Sequence, residues 1–267
     1  VAQAMSGLMD ITGDPHGPPT LTGTTIIDYT SGMYAAMGVL AALNARHASG
    51  VGQLVDVSLL DSATSLLLSA LPERAHTSTA ITRRGNRDRF CAPSNTFKTA
   101  DQRWVLINCA DDPMFERMAR AMQQPELMQD PRFVTRAERV RQREAIEALT
   151  SAWVAALPAS EVVGLLERAS VPCALVATLD EVLDNEQLRH RGQITEVTHQ
   201  SGEKVTMQGV TIHLSDTPLR VRSAIPYVGE HSDQVISSWL GCSQQRLQTL
   251  ADEGVISQLT PGRKNVC

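Results

Sequence analysis

The sequence predicts a mixed protein of the α/β or α+β class, and three observations carry that expectation. Apolar residues recur at helical spacing in separate stretches, among them Met33, Met37, Leu40 and Leu43 and, later, Val140, Ile146, Leu149, Trp153 and Leu157. Other stretches, WVLINC and QITEVTHQSGEKVTMQGVTIHLS, are apolar or alternate with the period of two that marks strands. No internal repeat or low-complexity tract competes with this reading. At 267 residues the chain can form one large domain or two smaller ones.

In order along the chain, residues 12–23 hold Pro15, Pro18, Pro19 and three glycines and are expected to be loop. From about Tyr29 to His47 a helix is expected, with Gly32, Ala35, Ala36, Gly38, Ala41 and Ala42 filling the gaps between large residues. Such a helix should lie deep, with neighbours on several sides. Gly50 and Gly52 stop it, GQLVDVSLLD reads as a short strand or turn, and a second helix should run from about Ser58 to Leu71, before Pro72. Residues 73–95 are polar and rich in Arg, Thr and Asn, which marks a linker or an active-site loop. TFKTADQRWVLINCA then reads as a hairpin turning at Ala100–Gln102. Amphipathic helices are expected at about 112–123, 138–157 and 159–169, with the charges of the second forming a solvated face. A VPCALV strand and a TLDEVLDNEQLRHRG helix follow, then a hairpin about Ser201–Gly202, a proline-punctuated return, and two final helices.

Composition excludes several functions. Aromatic content of 4% leaves little to stack on bases, and a net charge of -5 gives no nucleic-acid footprint. No uninterrupted apolar run reaches bilayer length, so no membrane partner is expected. The five cysteines are scattered and form no CxxC pair, which fits a reducing, cytoplasmic compartment without disulfides or zinc. The seven histidines show no HExxH or other tight spacing, so no metal is expected. Neither GxSxG nor a strand-linked GxGxxG occurs. The chain opens at Val1 without an initiator Met, so a fragment or processed piece is expected and a missing targeting signal is uninformative.

Asp28 is the leading candidate for chemistry. Two isoleucines precede it and few charges follow before Arg46, so a partly desolvated carboxylate facing the positive end of a helix is expected. Such a group can be a nucleophile or a proton carrier. It can equally be an ordinary N-cap. Asp56 and Asp61 read as structural, with Asp61 three residues after Ser58 as in a capping box. Arg83, Arg84, Arg87 and Arg89 around Gly85-Asn86 suit either a phosphate or carboxylate ligand or a solvated linker.

Several segments together resemble the class III CoA-transferase family, which includes carnitine and formyl-CoA transferases and alpha-methylacyl-CoA racemase. They are AQAMSGLMDITGDPHGPP, the stretch from Asp28 to Asp61 with ASGVGQLVDVSLLD, GNRDRFCAPSNTFKTADQRWVLINC, PELMQDPRFVTRAERVRQREAI, VPCALVATLDEVLDNEQLRHRG and PYVGEHSDQVISSWLG, in order over nearly the whole chain. The resemblance implies an N-terminally truncated member: a portion of a Rossmann-like large domain at 1–84 carrying the catalytic Asp28, a smaller α+β domain at 85–192, and a return segment at 193–267. It implies that Asp28 carries acyl groups and CoA covalently, with Gly85, Asn86 and Arg87 near the substrate. It places most CoA contacts, and the turn that separates transferase from racemase, upstream of Val1. The substrates implied are an acyl-CoA and a free carboxylic acid, with no permanently bound cofactor and an interlocked homodimer as the assembly. A racemase moving a proton at the alpha carbon is the alternative activity, and an inactive dimerising fragment the alternative of another class. Where formyl-CoA transferases carry a glycine run, this chain reads RDRFCAP, which disfavours a formyl or oxalate specificity.

Overall fold

The computed structural model describes residues 1–77, 80–199 and 202–256. The chain divides into two compact units, Val1–Val176 and Ala177–Cys267. Helices and small sheets mix in both, as the sequence predicts. Both sheets are antiparallel, so no parallel, doubly wound sheet lies among the described residues.

The first unit opens with a short helix α1 (Ala2–Met5) and an irregular stretch. Gln3 ties the ends of that stretch together: its Nε2 donates to Thr22 Oγ1 and its Oε1 accepts from the Thr22 amide, both at 3.1 Å. Helix α2 (Ile26–Ser49) starts three residues earlier than expected and stops at Gly50, whose positive φ of 75° lets its N–H reach Arg46 O at 2.8 Å. Contrary to expectation α2 does not lie deep. It packs on α3 (Leu59–Ser65), and only Ile27 and Thr30 are buried, while Met33 and Leu40 are 59% and 67% exposed.

The expectation about apolar length also needs correction. Counting uninterrupted runs misses α2 because Tyr, Ser and Gly break the run. Its 24 residues, with mean hydropathy 1.3 over the most apolar window, are long and apolar enough to cross a bilayer by length and composition.

Residues 51–58 pair with no strand. Ser58 Oγ accepts from the Asp61 amide at 3.0 Å and caps α3, as its spacing suggests. The expected single helix is two: α3 ends at a turn, and α4 (Ala70–His76) carries Pro72 inside its first turn, where the missing N–H has no helical partner to lose.

Strands β1 (Ser94–Lys98) and β2 (Trp104–Asn108) form the expected hairpin, with Ser94 opposite Asn108 and Lys98 opposite Trp104. β3 (Cys173–Leu175) adds antiparallel to β2. Val105 and Ile107 point into the core and Trp104 and Leu106 outward, the period of two at work. Against this sheet pack α5 (Asp112–Ala121), a 3-10 turn at Pro125–Met128, α6 (Arg136–Arg141), α7 (Arg143–Ala155) and α8 (Ala159–Arg168). The expected helix at 138–157 is interrupted at Gln142 (φ −99°, ψ 30°), at a residue that is neither Gly nor Pro. Phe115, Met118, Phe133, Ile146, Val154, Val162 and Leu166 complete one continuous core.

In the second unit the TLDEVLDNEQLRHRG segment is also two helices, α9 (Leu179–Leu183) with a Thr178/Glu181 capping box and α10 (Glu186–His190) capped by Asn185. Asn185, a strong cap former, starts a second helix where periodicity alone suggests continuation. β4 (Ile194–Thr198) and β5 (Lys204–Gln208) pair antiparallel as expected; of their predicted turn, Ser201 lies outside the described residues. Glu230 accepts from the Tyr227 amide at 2.6 Å and approaches His199 Nε2 at 3.1 Å, fixing the irregular return segment to the end of β4. α11 (Ser232–Leu240) ends at Gly241 in the left-handed region, and α12 (Gln244–Asp252) follows it.

One glycine here fixes a close approach. A Cβ on Gly209 would lie 1.7 Å from the Gly192 carbonyl oxygen, where the Gly209 amide donates to Gln193 O at 2.8 Å. Gly209→Ala must therefore push the two backbone segments away from each other. We expect it to cost about 1–3 kcal/mol in thermal unfolding, whereas Gly52→Ala, with nothing within 4 Å, leaves the melting temperature unchanged.

Candidate active site

Asp28 occupies the third position of α2. Thr25 is the residue at the N-cap, so the expected alternative of Asp28 as cap does not hold. Nor is it desolvated in this chain: it is exposed, as is Tyr29 beside it. The two isoleucines explain the difference, since only Ile27 turns inward while Asp28, one residue on, faces away. Among the described residues no hydrogen bond or ion pair engages its carboxylate. The first-turn position still places it by the unpaired amides and positive end of a 24-residue helix.

Gly85, Asn86 and Arg87 lie on a loop stitched to the segment that leads into α2. The Gly85 amide donates to Gly13 O at 2.8 Å, from a left-handed φ of 63° that only glycine adopts freely. Arg83 reinforces the junction through Asp10 O at 3.0 Å and Asp14 O at 3.3 Å. Asn86 Nδ2 donates to Thr96 Oγ1 at 2.8 Å, and Arg87 Nε to Glu147 Oε2 at 2.8 Å. Arg89 pairs with Glu73. The loop is thus held in place rather than a free linker. Among the described residues no hydrogen bond joins Asp28 directly to it, and Asp56 and Asp61, which follow α2 in sequence, are exposed.

Beside Asp10 a cavity of about 320 Å³ is lined by Ser6, Ile11, Leu67, Leu71, Arg74 and Ile81. Its lining is mostly apolar, and the carboxylate of Asp10 offsets the guanidinium of Arg74, so it shows no preference for an anion. Cysteine chemistry is disfavoured: burial pushes the Cys109 thiol up to about 12 and raises Cys91 as well. Among the described residues no group of three His, Cys, Asp or Glu side chains could hold a metal ion.

Three residues beneath this loop went unrecognised in the sequence. Arg139 and Glu147, expected on a solvated face, are buried (0% and 5% exposed), and Arg143 is largely covered. For two of them the signal was present: Arg143 and Glu147 share one face of α7 with Ile146, Thr150 and Val154.

The sequence model of CoA-transferase family III matches residues 1–232. The chain belongs to that family. It is 34% identical over 256 residues to a succinyl-CoA–D-citramalate CoA-transferase of Chloroflexus aurantiacus, a match covering 96% of this chain and 64% of that protein. To a formyl-CoA:oxalate CoA-transferase of Streptomyces avermitilis it is 33% identical over 276 residues, covering 96% and 66%. A solved CAIB/BAIF family protein from Brucella suis superimposes with a TM-score of 0.75 at 28% identity, over 89% of this chain and 61% of that one. The chain thus spans a little under two thirds of the length of the curated relatives it matches. In this member of CoA-transferase family III, the candidate site is Asp28 with the clamped Gly85-Asn86-Arg87 loop.

Proposed function

We propose that the protein transfers CoA between an acyl-CoA and a free carboxylic acid, with Asp28 as the covalent carrier. The observation that carries this reading is a carboxylate without hydrogen-bond partners among the described residues, in the first turn of α2, in a chain whose relatives include succinyl-CoA transferases.

An Asp28 oxygen attacks the thioester carbonyl, the C–S bond breaks, and CoA leaves as thiolate from a mixed anhydride. The thiolate attacks the Asp28 Cγ, the first acid departs as its carboxylate, and an aspartyl-CoA thioester remains. The second carboxylate attacks that thioester, releasing the thiolate and forming a new anhydride. The thiolate then attacks the acceptor's acyl carbon and Asp28 is restored. One negative charge passes along at every step, so no proton need move. The positive end of α2 steadies Asp28 whenever it is released as carboxylate.

The exposed apolar face of α2 supports a homodimer or further chain as its cover, because single soluble chains seldom expose so much contiguous apolar surface. The division into 1–84, 85–192 and 193–267 is proposed as the way this chain contributes to a large domain, a small domain and a return.

The test mixes the full-length protein with succinyl-CoA and a series of free acids. Equal amounts of succinate and a new CoA ester should appear. Hydrolysis to free CoA alone would refute transfer, and deuterium entering the alpha carbon of a 2-methylacyl-CoA without acid exchange would favour the racemase.

A further inference from the structure

The loop bearing Arg87 is gripped at three points by side chains of α6 and α7. Arg139 Nε donates to Ala92 O at 3.0 Å, Arg143 Nη1 to Cys91 O at 3.1 Å, and Glu147 Oε2 accepts from Arg87 Nε at 2.8 Å and Asn95 Nδ2 at 3.3 Å. Arg143 and Glu147 stand one turn apart on α7, and Arg139 reaches the same loop from α6, across the break at Gln142. Inside the loop, Asp88 Oδ1 accepts the Phe90 and Cys91 amides at 2.6 and 3.0 Å, and the Asp88 amide donates to Ser94 O at 3.1 Å. The backbone beneath Arg87 is therefore set before any ligand arrives.

Two guanidiniums, Arg87 at 2.8 Å and Arg143 at 3.7 Å, share the single carboxylate of Glu147. Asp88 also lies in the field of Arg143, so the charges of the cluster balance and the open edge of Arg87 supplies the direction. Glu147 holds Arg87 through Nε alone. Among the described residues the two terminal nitrogens of Arg87 have no partner, and the side chain is 34% exposed. A guanidinium pinned at Nε and open at its Nη pair presents a fork that fits a carboxylate with two parallel bonds. A carboxylate so held is poorly nucleophilic, since its charge is drawn into the fork. Arg87 thus suits a carboxylate that does not react.

We infer that Arg87 selects dicarboxylic over monocarboxylic acids by binding the substrate's second, non-reacting carboxylate, with Glu147 as the positioning residue that aims it. This rests on the transferase reading and deepens it.

The test compares kcat/KM for succinate and for butyrate, which has the same carbon chain without the second carboxylate, as acceptors in the full-length protein. Arg87→Gln should lower the succinate-to-butyrate ratio about 10- to 100-fold while the KM for butyryl-CoA, a donor without a second carboxylate, stays within about twofold, which also separates a carboxylate from a CoA phosphate as the ligand. Glu147→Gln should lower the same ratio less. The Arg87→Gln/Glu147→Gln double variant should be no less selective than Arg87→Gln, as for two residues acting through one contact. An unchanged ratio in Arg87→Gln overturns the inference. A Glu147→Gln variant slowed equally on both acids overturns the positioning role. If the wild-type protein exchanges no CoA, the transferase reading fails, and calorimetric titration with succinate then decides. Binding weakened at least about tenfold by Arg87→Gln sustains the inference, and no succinate binding to wild type overturns it.

Discussion

Asp28→Asn is expected to lower CoA exchange by at least about 10³-fold, because it removes the only group proposed to hold the acyl and CoA fragments. The substitution keeps the shape of the side chain and disturbs no hydrogen bond among the described residues. Its effect on stability should be small, about 0.3–1 kcal/mol from the lost charge at the helix start. A change in activity without a matching change in melting temperature would therefore report chemistry. Asp28→Glu keeps the charge and moves it by one methylene. The near-attack geometry of a covalent relay tolerates little displacement, and a loss of about 10²-fold is expected. Rates of both variants with succinyl-CoA and labelled succinate, alongside circular dichroism and thermal melts, check this. Asp28→Asn with wild-type exchange would remove Asp28 from the mechanism.

The largest effect on stability is expected at Arg139, whose side chain is fully buried. It donates to Ala92 O, to Phe133 O at 3.0 Å and to Asp112 Oδ1 at 2.8 Å, and its guanidinium lies 4.3 Å from the Phe115 ring centre. Arg139→Ala would leave two buried carbonyls unpaired and a void between α5, α6 and the loop at 91–93. Loss of one partner from such a network costs roughly 3–5 kcal/mol. In a unit of this size that is a fall of about 10 °C in melting temperature. Arg141→Ala, which removes only an exposed pair with Glu138, should shift stability by less than about 0.5 kcal/mol. Equal effects at the two positions would show that the buried network does not hold this unit together.

The hairpin of β1 and β2, the helix start at Ser58 and the glycine stop of α2 were legible because each rests on a local pattern: alternation, a cap, a left-handed glycine. What failed was of two kinds. Breaks at Gln142 and Leu66–Ser69 carry no Gly or Pro, so periodicity ran through them. Burial failed where it depends on partners distant in sequence. α2 reads as a core helix by composition yet lies open in this chain, and the charged α6–α7 face reads as solvated yet closes on the loop at 85–93. At the site, Asp28 was legible as a helix-start acid, but the role proposed for it came from the ordered run of flanking segments. Glu147 was missed because a buried acid is recognised only with its arginines in view.

The path of oxygen tests the central claim most directly. In the proposed relay the acceptor's attacking oxygen ends on Asp28 when CoA is returned to the acceptor. Turnover of succinyl-CoA with succinate labelled by oxygen-18 in its carboxylates, followed by proteolysis and fragment mass spectrometry, should place the heavy isotope in the Asp28 side chain and in no other carboxylate. CoA exchange proceeding at full rate with Asp28 unlabelled would contradict the account.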